Sequence, residues 1–397
     1  MSNSLNLGSG NWATKDNSLL GYNSENGNFK PLPFDFSRGS IATVINKQGL
    51  IETVQANNAR VDYLDNAKGA LLLEPQRTNS LPYSSDFTSF NVASNGTGSN
   101  PIITSNYATS PDGTQNADRV QLNRGSGTTS SDTSYITYGL SLGTIDATLS
   151  IYLKTNDETT KDVTLRLGAS LFDYDVTVTS NWQRFTLSGN TSVDRVQILL
   201  YGNQNSQTAD ISCFAAQVEQ GSYPTSLIKT QGTAQTRLAD VCNNGGNAQV
   251  INSTEGVLYA EYHFDATIDN NGGSDRDIVS IEANSSNKIQ IVHYGNGSLS
   301  YNKKVYFFVI VGGSYVVNIS SPTQSSGLMK VACGYKNNDF VLYVNGVQIG
   351  TDTSAAVPTM SKVIIGKNPT LTTTPINQTK LYNTRLSNSE LAALTTI

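Results

Sequence analysis

The chain has 397 residues, enough for two or three domains at ~100–200 residues each. Only 14% of residues are charged and the net charge is -5, a density that excludes an electrostatic grip on nucleic acid. Strand-forming and turn-forming residues dominate, with 19 Tyr, 33 Gly and only two Trp, so the composition reads as mostly β with a surface made polar by amides and hydroxyls.

In chain order, residues 1 to about 35 are dominated by Asn, Gly and Ser, with isolated Trp12, Leu19, Leu20, Tyr22 and Phe29. Such a stretch closes no core of its own and is expected to be an extended arm that orders against a partner. Two short strands, about 41–45 and 50–54, flank Asn46-Lys-Gln-Gly49, which suits a hairpin with glycine in the left-handed region. Arg60–Tyr63 and Ala70–Leu73 supply two more short strands. The apolar run Leu71–Leu73 stops at Pro75 and opens into a turn-rich segment, which marks a junction. Glu74 and Arg77 read there as partners that fix the local backbone.

From Tyr83 to about Ile228, short alternating strands are separated by Gly and Asn: 147–154, 163–167, 182–187, 194–201 and, last, 213–219. One apolar and one polar face per strand is what an antiparallel sandwich or jelly roll requires. Residues 229–255 read as a linker, after which strands resume at 257–264, 277–282, 288–294, 305–311 and 315–319. Asp339–Gly350 is a hairpin around Asn345-Gly346, the preferred type I′ pair. Ser387-Asn-Ser-Glu390 is a capping box that opens a short helix through Leu391 and Leu394. The expected fold class is therefore all-β. Two antiparallel β-sandwich or jelly-roll domains, 81–228 and 256–397, lie behind an N-terminal arm and small β unit over 1–80, with 229–255 as linker.

Nothing approaches the ~20 consecutive apolar residues of a membrane helix, so no membrane insertion is expected. The first residues, Met1-Ser-Asn-Ser-Leu-Asn-Leu-Gly, do not read as a secretory signal. Cys213, Cys242 and Cys333 fit neither a zinc site nor a disulfide framework and read as reduced, partly buried thiols. The expectation is folding in a cytoplasm and, if the protein ends up outside, exit by some route other than a cleaved signal, of which release in a virion is one.

Candidates for chemistry are few. His263 and His293 sit within strand-like runs beside aromatics and read as sheet histidines rather than bases or ligands. No nucleophile-elbow, zincin or phosphate-loop pattern occurs. Asp173-Tyr-Asp175 and Asp275-Arg-Asp277 have the i, i+2 spacing that puts two carboxylates on one strand face, as glycoside hydrolysis needs, but both lie near turns without a third acid. The turn from Asp269 to Asp277 carries oxygen ligands that suit calcium, with a plain Asn/Gly turn the favoured reading. No metal or other cofactor is expected. Sequons at Asn95, Asn190, Asn252, Asn284 and Asn318 follow from composition. Tyr294, Asn296, Tyr301 and Tyr315 suit a carbohydrate surface, in which rings stack on sugars and amides meet hydroxyls; ordinary cross-strand packing is the alternative for each.

Three stretches carry a resemblance. Pro33–Ser40, Asn46–Glu52 and Leu71–Asn79 together resemble the N-terminal region of fibre and spike proteins of tailed phages and prophages, including crAss-like and marine phages. Ala216–Ser226 looks like the closing strand of the carbohydrate-binding-module-like jelly roll that comes next in those proteins. Asp339–Val347 with Lys380–Leu391 is similar to the last strands of concanavalin A-like (laminin G-like) lectin domains. The acidic strand motif of concanavalin A-like glycanases is absent. The resemblance implies a virion appendage, anchored through its N-terminal arm to capsid, portal, collar or tail, and a homo-oligomer, a trimer by analogy. It displays its sandwiches toward a host surface, with glycan as ligand and no catalysis. A purely structural head fibre or decoration protein is the alternative, and a polysaccharide depolymerase a third.

Overall fold

The computed structural model describes residues 4–15, 18–24, 27–29, 33–168, 173–267, 275–295, 302–366 and 374–397. It is almost entirely antiparallel β-structure, as the alternation of apolar and polar residues predicts, with the helix Asn388–Thr395 behind its capping box of Ser387 and Glu390. The chain forms two compact units. One comprises Met1–Gln48, Thr53–Gln76 and Leu238–Ile397; the other comprises Gly49–Glu52 and Arg77–Arg237.

The first unit is a two-sheet sandwich. Among the described residues one sheet runs in the order Val347–Asp352, Asp339–Val344, Gly327–Lys336, Glu255–Phe264, Thr374–Tyr382, Ala70–Leu73, Val61–Asp62, with Leu5–Gly8 also paired to Thr374–Tyr382. The other runs Ala13–Lys15, Ser18–Leu20, Pro33–Ser37, Val241–Gly245, Lys362–Ile365, Asp275–Asn284, Asn287–Tyr294, Val305–Val311, Ser314–Ser320. Their inner faces share one apolar core that includes Leu5, Leu7, Phe34, Phe36, Leu71, Leu258, Ile281, Ile291, Phe307 and Ile365. The helix Asn388–Thr395 covers part of the first sheet's outer face, where Leu391 packs with Val257, Tyr259 and Tyr343. The hairpin turn holds Asn345 at φ +49 and Gly346 at φ +82, the two positive values a type I′ turn demands.

The structure corrects two expectations. The described residues of 1–35 do not form an extended arm: Leu5 and Leu7 are fully buried, and their strand pairs with Gln378–Leu381 near the other end of the sequence. Leu19 and Phe34 are likewise fully buried on neighbouring strands. The stretch closes no core alone, as its composition says, but it completes one. Nor is 229–255 a bare linker, since Gln235–Arg237 pairs with Arg77–Asn79 and Val241–Gly245 joins Pro33–Ser37 to Lys362–Ile365.

The second unit is a jelly roll whose two sheets share long strands. Residues 133–138 of the strand Thr133–Thr155 pair with Asn91–Asn95 and with residues 196–201, and Lys161–Leu167 and Asp173–Val178 extend that sheet. Residues 147–155 pair instead with 183–189 and with Thr208–Gln220, next to Gln115–Asn123 and Ser99–Thr109. The strand changes sheet at a register shift between Gly139 and Gly143, where Gly143 takes φ +70; such bulges turn strands round corners. Val120, Leu149, Ile151, Leu165, Val178, Ile198 and Ile211 fill the core between the faces.

Candidate functional site

On the jelly roll, Val163, Leu165 and Leu167 point inward, so alternation sends Asp162, Thr164 and Arg166 outward. The neighbouring strand does the same with Asp173, Asp175 and Thr177, because Val176 and Val178 are core residues. The register sets Asp162 opposite Thr177, Thr164 opposite Asp175 and Arg166 opposite Asp173. The turn after Tyr201 brings Asn203, Gln204 and Asn205 to the same place. The result is a cleft of about 520 Å³ lined by Asp162, Asp173, Asp175, Thr177, Tyr201 and the three amide residues.

Most of this lining is fixed by its own bonds. Arg166 holds Asp173 through Nε at 2.6 Å and a terminal nitrogen at 2.8 Å, while Tyr201 donates its hydroxyl to the same carboxylate at 3.1 Å. The guanidinium also lies over the Tyr201 ring, 5.6 Å from its centroid, and the half-buried tyrosine lines the cleft. Gln204 accepts from the Tyr201 amide at 2.8 Å and donates to Thr164 Oγ1 at 2.6 Å and Asp175 Oδ1 at 3.1 Å. Asp162 accepts from Thr177 Oγ1 at 2.7 Å and Asn205 at 3.0 Å; those bonds hold its pKa below the usual carboxylate value against a smaller opposing effect of burial. Three groups have capacity to spare. Among the described residues Asp175 Oδ2 has no donor, the exposed Asn203 side chain makes no hydrogen bond, and the exposed Asn205 amide uses one of its two N–H groups.

The arrangement suits recognition of a hydroxylated ligand better than hydrolysis. A glycosidase needs one carboxyl kept protonated and a second free to act. Here Asp173 sits in a two-point ion pair with Arg166, and Asp162 is held ionised. The i, i+2 spacing predicts Asp173 and Asp175 on one face, and the structure places them there. Sequence reasoning missed Asp162, Tyr201, Asn203, Gln204 and Asn205, which only strand register and a turn bring into the cleft.

The second surface lies on the sandwich, on the face of its Val305–Val311 sheet opposite the core. Tyr294, Tyr306, Phe308 and Tyr315 form a row with successive ring centroids 5.3, 5.0 and 5.0 Å apart. Tyr315, on the edge strand, is 61% exposed, whereas Phe308 is 6% exposed. Ser280 and Gln290, opposite one another in register, are buried on this face. Of the residues expected to suit carbohydrate, Tyr294 and Tyr315 are thus in one row, while Asn296 and Tyr301 lie outside the described residues.

The other candidates resolve into packing. His293 is fully buried, its ring stacked on Phe264 at 3.7 Å and its Nδ1 2.8 Å from the Tyr262 hydroxyl; His263 is exposed on a strand of the other sheet. All three cysteines are free and buried, with burial pushing their thiols up. Asp277 is 7% exposed, and the side chain of Asp275 and most of the 269–277 turn lie outside the described residues. Among the described residues no group of three or more His, Cys, Asp or Glu is placed to hold a metal ion, and no helix is long and apolar enough to cross a membrane.

No family model matches the chain, and no curated protein matches it. Solved structures give partial likenesses. One is the CBM40 module of Ruminococcus gnavus IT-sialidase bound to α2,3-sialyllactose: 20% identity, 38% of this chain and 86% of that one, TM-score 0.30. A second is the heptameric SAP-like pentraxin of Limulus polyphemus: 13% identity, 36% and 70%, TM-score 0.27. A third is Trypanosoma rangeli sialidase with the inhibitor DANA: 10% identity, 97% and 83%, TM-score 0.29. Likenesses of this size carry no argument about ligand or activity, which leaves the residues of this chain to decide both.

Proposed function

We propose that this chain is a glycan-binding protein without catalysis, and that its jelly-roll cleft is the binding site. The observation that carries this reading is the cleft itself: the Tyr201 ring held by Arg166, an open carboxylate oxygen on Asp175 and open amide groups on Asn203 and Asn205, all on paired strands and the turn after Tyr201. Carbohydrate recognition uses such a set, with a ring for the apolar sugar face and planar acceptors and donors for its hydroxyls. The Tyr294–Tyr315 row is a second surface of the same chemistry, open at Tyr315.

The wider setting is also part of the proposal. The Leu71–Asn79 junction motivates a place on a tailed-phage virion, as an oligomeric, trimeric fibre or spike subunit that contacts host-surface glycan. Capsid, portal, collar and tail are the candidate attachment points. Leu5 and Leu7 are buried in the sandwich, so the attachment proposed for this strand does not rest on those two side chains.

The experiment is a glycan array probed with the purified full-length chain, then calorimetry on the hits with wild type and Asp175→Ala. Binding that weakens at least tenfold in the variant supports the reading; a wild-type chain that binds no glycan defeats it. Release of reducing ends from any bound polysaccharide defeats the non-catalytic part.

A further inference from the structure

We infer that the jelly-roll cleft selects its glycan by charge, taking neutral or amino-bearing sugars and turning away those that carry carboxylate or sulfate. This rests on the glycan-binding reading of the same cleft and goes beyond it by naming the class of ligand.

Charge is the first ground. The lining carries three carboxylates, Asp162, Asp173 and Asp175, and no lysine or arginine. The nearest guanidinium, Arg166, is spent. Its Nε and one terminal nitrogen are on Asp173, and its other terminal nitrogen donates to Gln197 Oε1 at 3.0 Å. Lys161, on the same strand, is paired with Asp157 at 3.3 Å. With Asp173 neutralised by Arg166, an anionic group in the cleft meets the two remaining carboxylates, Asp162 and Asp175, and among the described residues of the lining no free cation answers it; the repulsion is salt-dependent because the lining is largely exposed.

The hydrogen-bond inventory points the same way. Asn205 and Gln204 have spent amide donors on Asp162, and on Thr164 and Asp175. Among the described residues the groups left over are an acceptor, Asp175 Oδ2, the whole Asn203 amide, and the second side-chain N–H and side-chain carbonyl oxygen of Asn205. At Asp175 Oδ2 the visitor must donate, which hydroxyls, N-acetyl N–H groups and ammonium groups do and a carboxylate or sulfate does not, while the free amides meet neutral hydroxyls and carbonyls equally well. Hydrogen bonds from Thr177 and Asn205 hold the Asp162 pKa below the ordinary aspartate value.

The test measures Kd by calorimetry for the full-length chain against three probe classes: neutral oligosaccharides including N-acetylglucosamine oligomers, glucosamine oligomers at pH 6, and oligogalacturonate with sialylated oligosaccharides. The neutral or amino probes are expected to bind at least tenfold more tightly than the anionic ones. That gap is expected to narrow at least threefold in Asp175→Asn and Asp162→Asn, and in wild type at 1 M salt. Anionic probes that bind as tightly as the neutral ones overturn the selectivity while leaving the glycan reading in place, as does a gap unchanged by both variants and by salt. A chain that binds none of the three classes overturns both.

Discussion

Arg38 and Asp240 meet at 3.0 Å with both side chains fully buried, although 202 positions separate them in the sequence. Asp240 also pairs with Arg60, which reaches Glu74 at 2.6 Å, so two guanidiniums and two carboxylates form one enclosed cluster. The Glu74 amide donates to Asp240 at 2.9 Å and the Asp240 amide to the Glu74 carbonyl at 3.0 Å. The cluster ties three separate stretches of the sandwich together beside the point where the chain leaves it, after Gln76, and returns at Leu238.

Removing one member leaves buried charge uncompensated. Asp240→Ala is expected to destabilise the sandwich unit by about 3–5 kcal/mol, because Arg38 and Arg60 both lose a carboxylate. The half-exposed pair Arg195–Asp194 is the control, and Asp194→Ala is expected to change stability by less than about 1 kcal/mol. Urea unfolding monitored for each unit separates the two; equal small effects would show that the cluster is not holding the sandwich.

The N-terminal strand is expected to behave as core. Leu5→Ala and Leu7→Ala should each cost about 2–5 kcal/mol, and removal of residues 1–20 should prevent the sandwich from folding. A truncated chain with an unchanged melting transition would restore the arm. The sequence could not show this placement. Leu5 and Leu7 alternate over only four residues within a polar stretch, and their partner strand, Thr374–Tyr382, lies near the other end of the sequence. The Asn345-Gly346 hairpin and the Ser387 cap were legible because turn and cap chemistry are local. The cleft was half legible for the same reason. The i, i+2 spacing put Asp173 and Asp175 on one face, but Asp162 and Tyr201 arrive through pairing across strands.

The aromatic row is expected to divide by burial. Phe308→Ala should cost about 3–5 kcal/mol, as for a buried ring, and Tyr315→Ala less than about 1 kcal/mol. Thermal unfolding of the two variants checks this. A large loss from Tyr315→Ala would make the row purely structural.

Acid should weaken the jelly roll through Asp112. Burial raises its pKa, but hydrogen bonds from Thr114, Ser110 and Asn116 outweigh that and hold it at about 2, against 3.8 for a free aspartate. A depressed folded-state value means stability that is complete above pH 3.8 and lost as pH falls toward 2. Asp112→Asn should flatten that part of the stability–pH curve, read from urea midpoints between pH 5 and pH 2. An identical slope in the variant would assign the acid loss elsewhere.

Glycan binding in the jelly-roll cleft is tested most directly by nuclear magnetic resonance. The full-length chain is titrated with a glycan that the array identifies, and the side-chain amides of Asn203, Gln204 and Asn205 are monitored. Saturable shifts are expected at those three amides, lost in Asp175→Ala. Shifts that appear elsewhere while these amides stay still, or that survive unchanged in the variant, would show that the cleft is not the binding site.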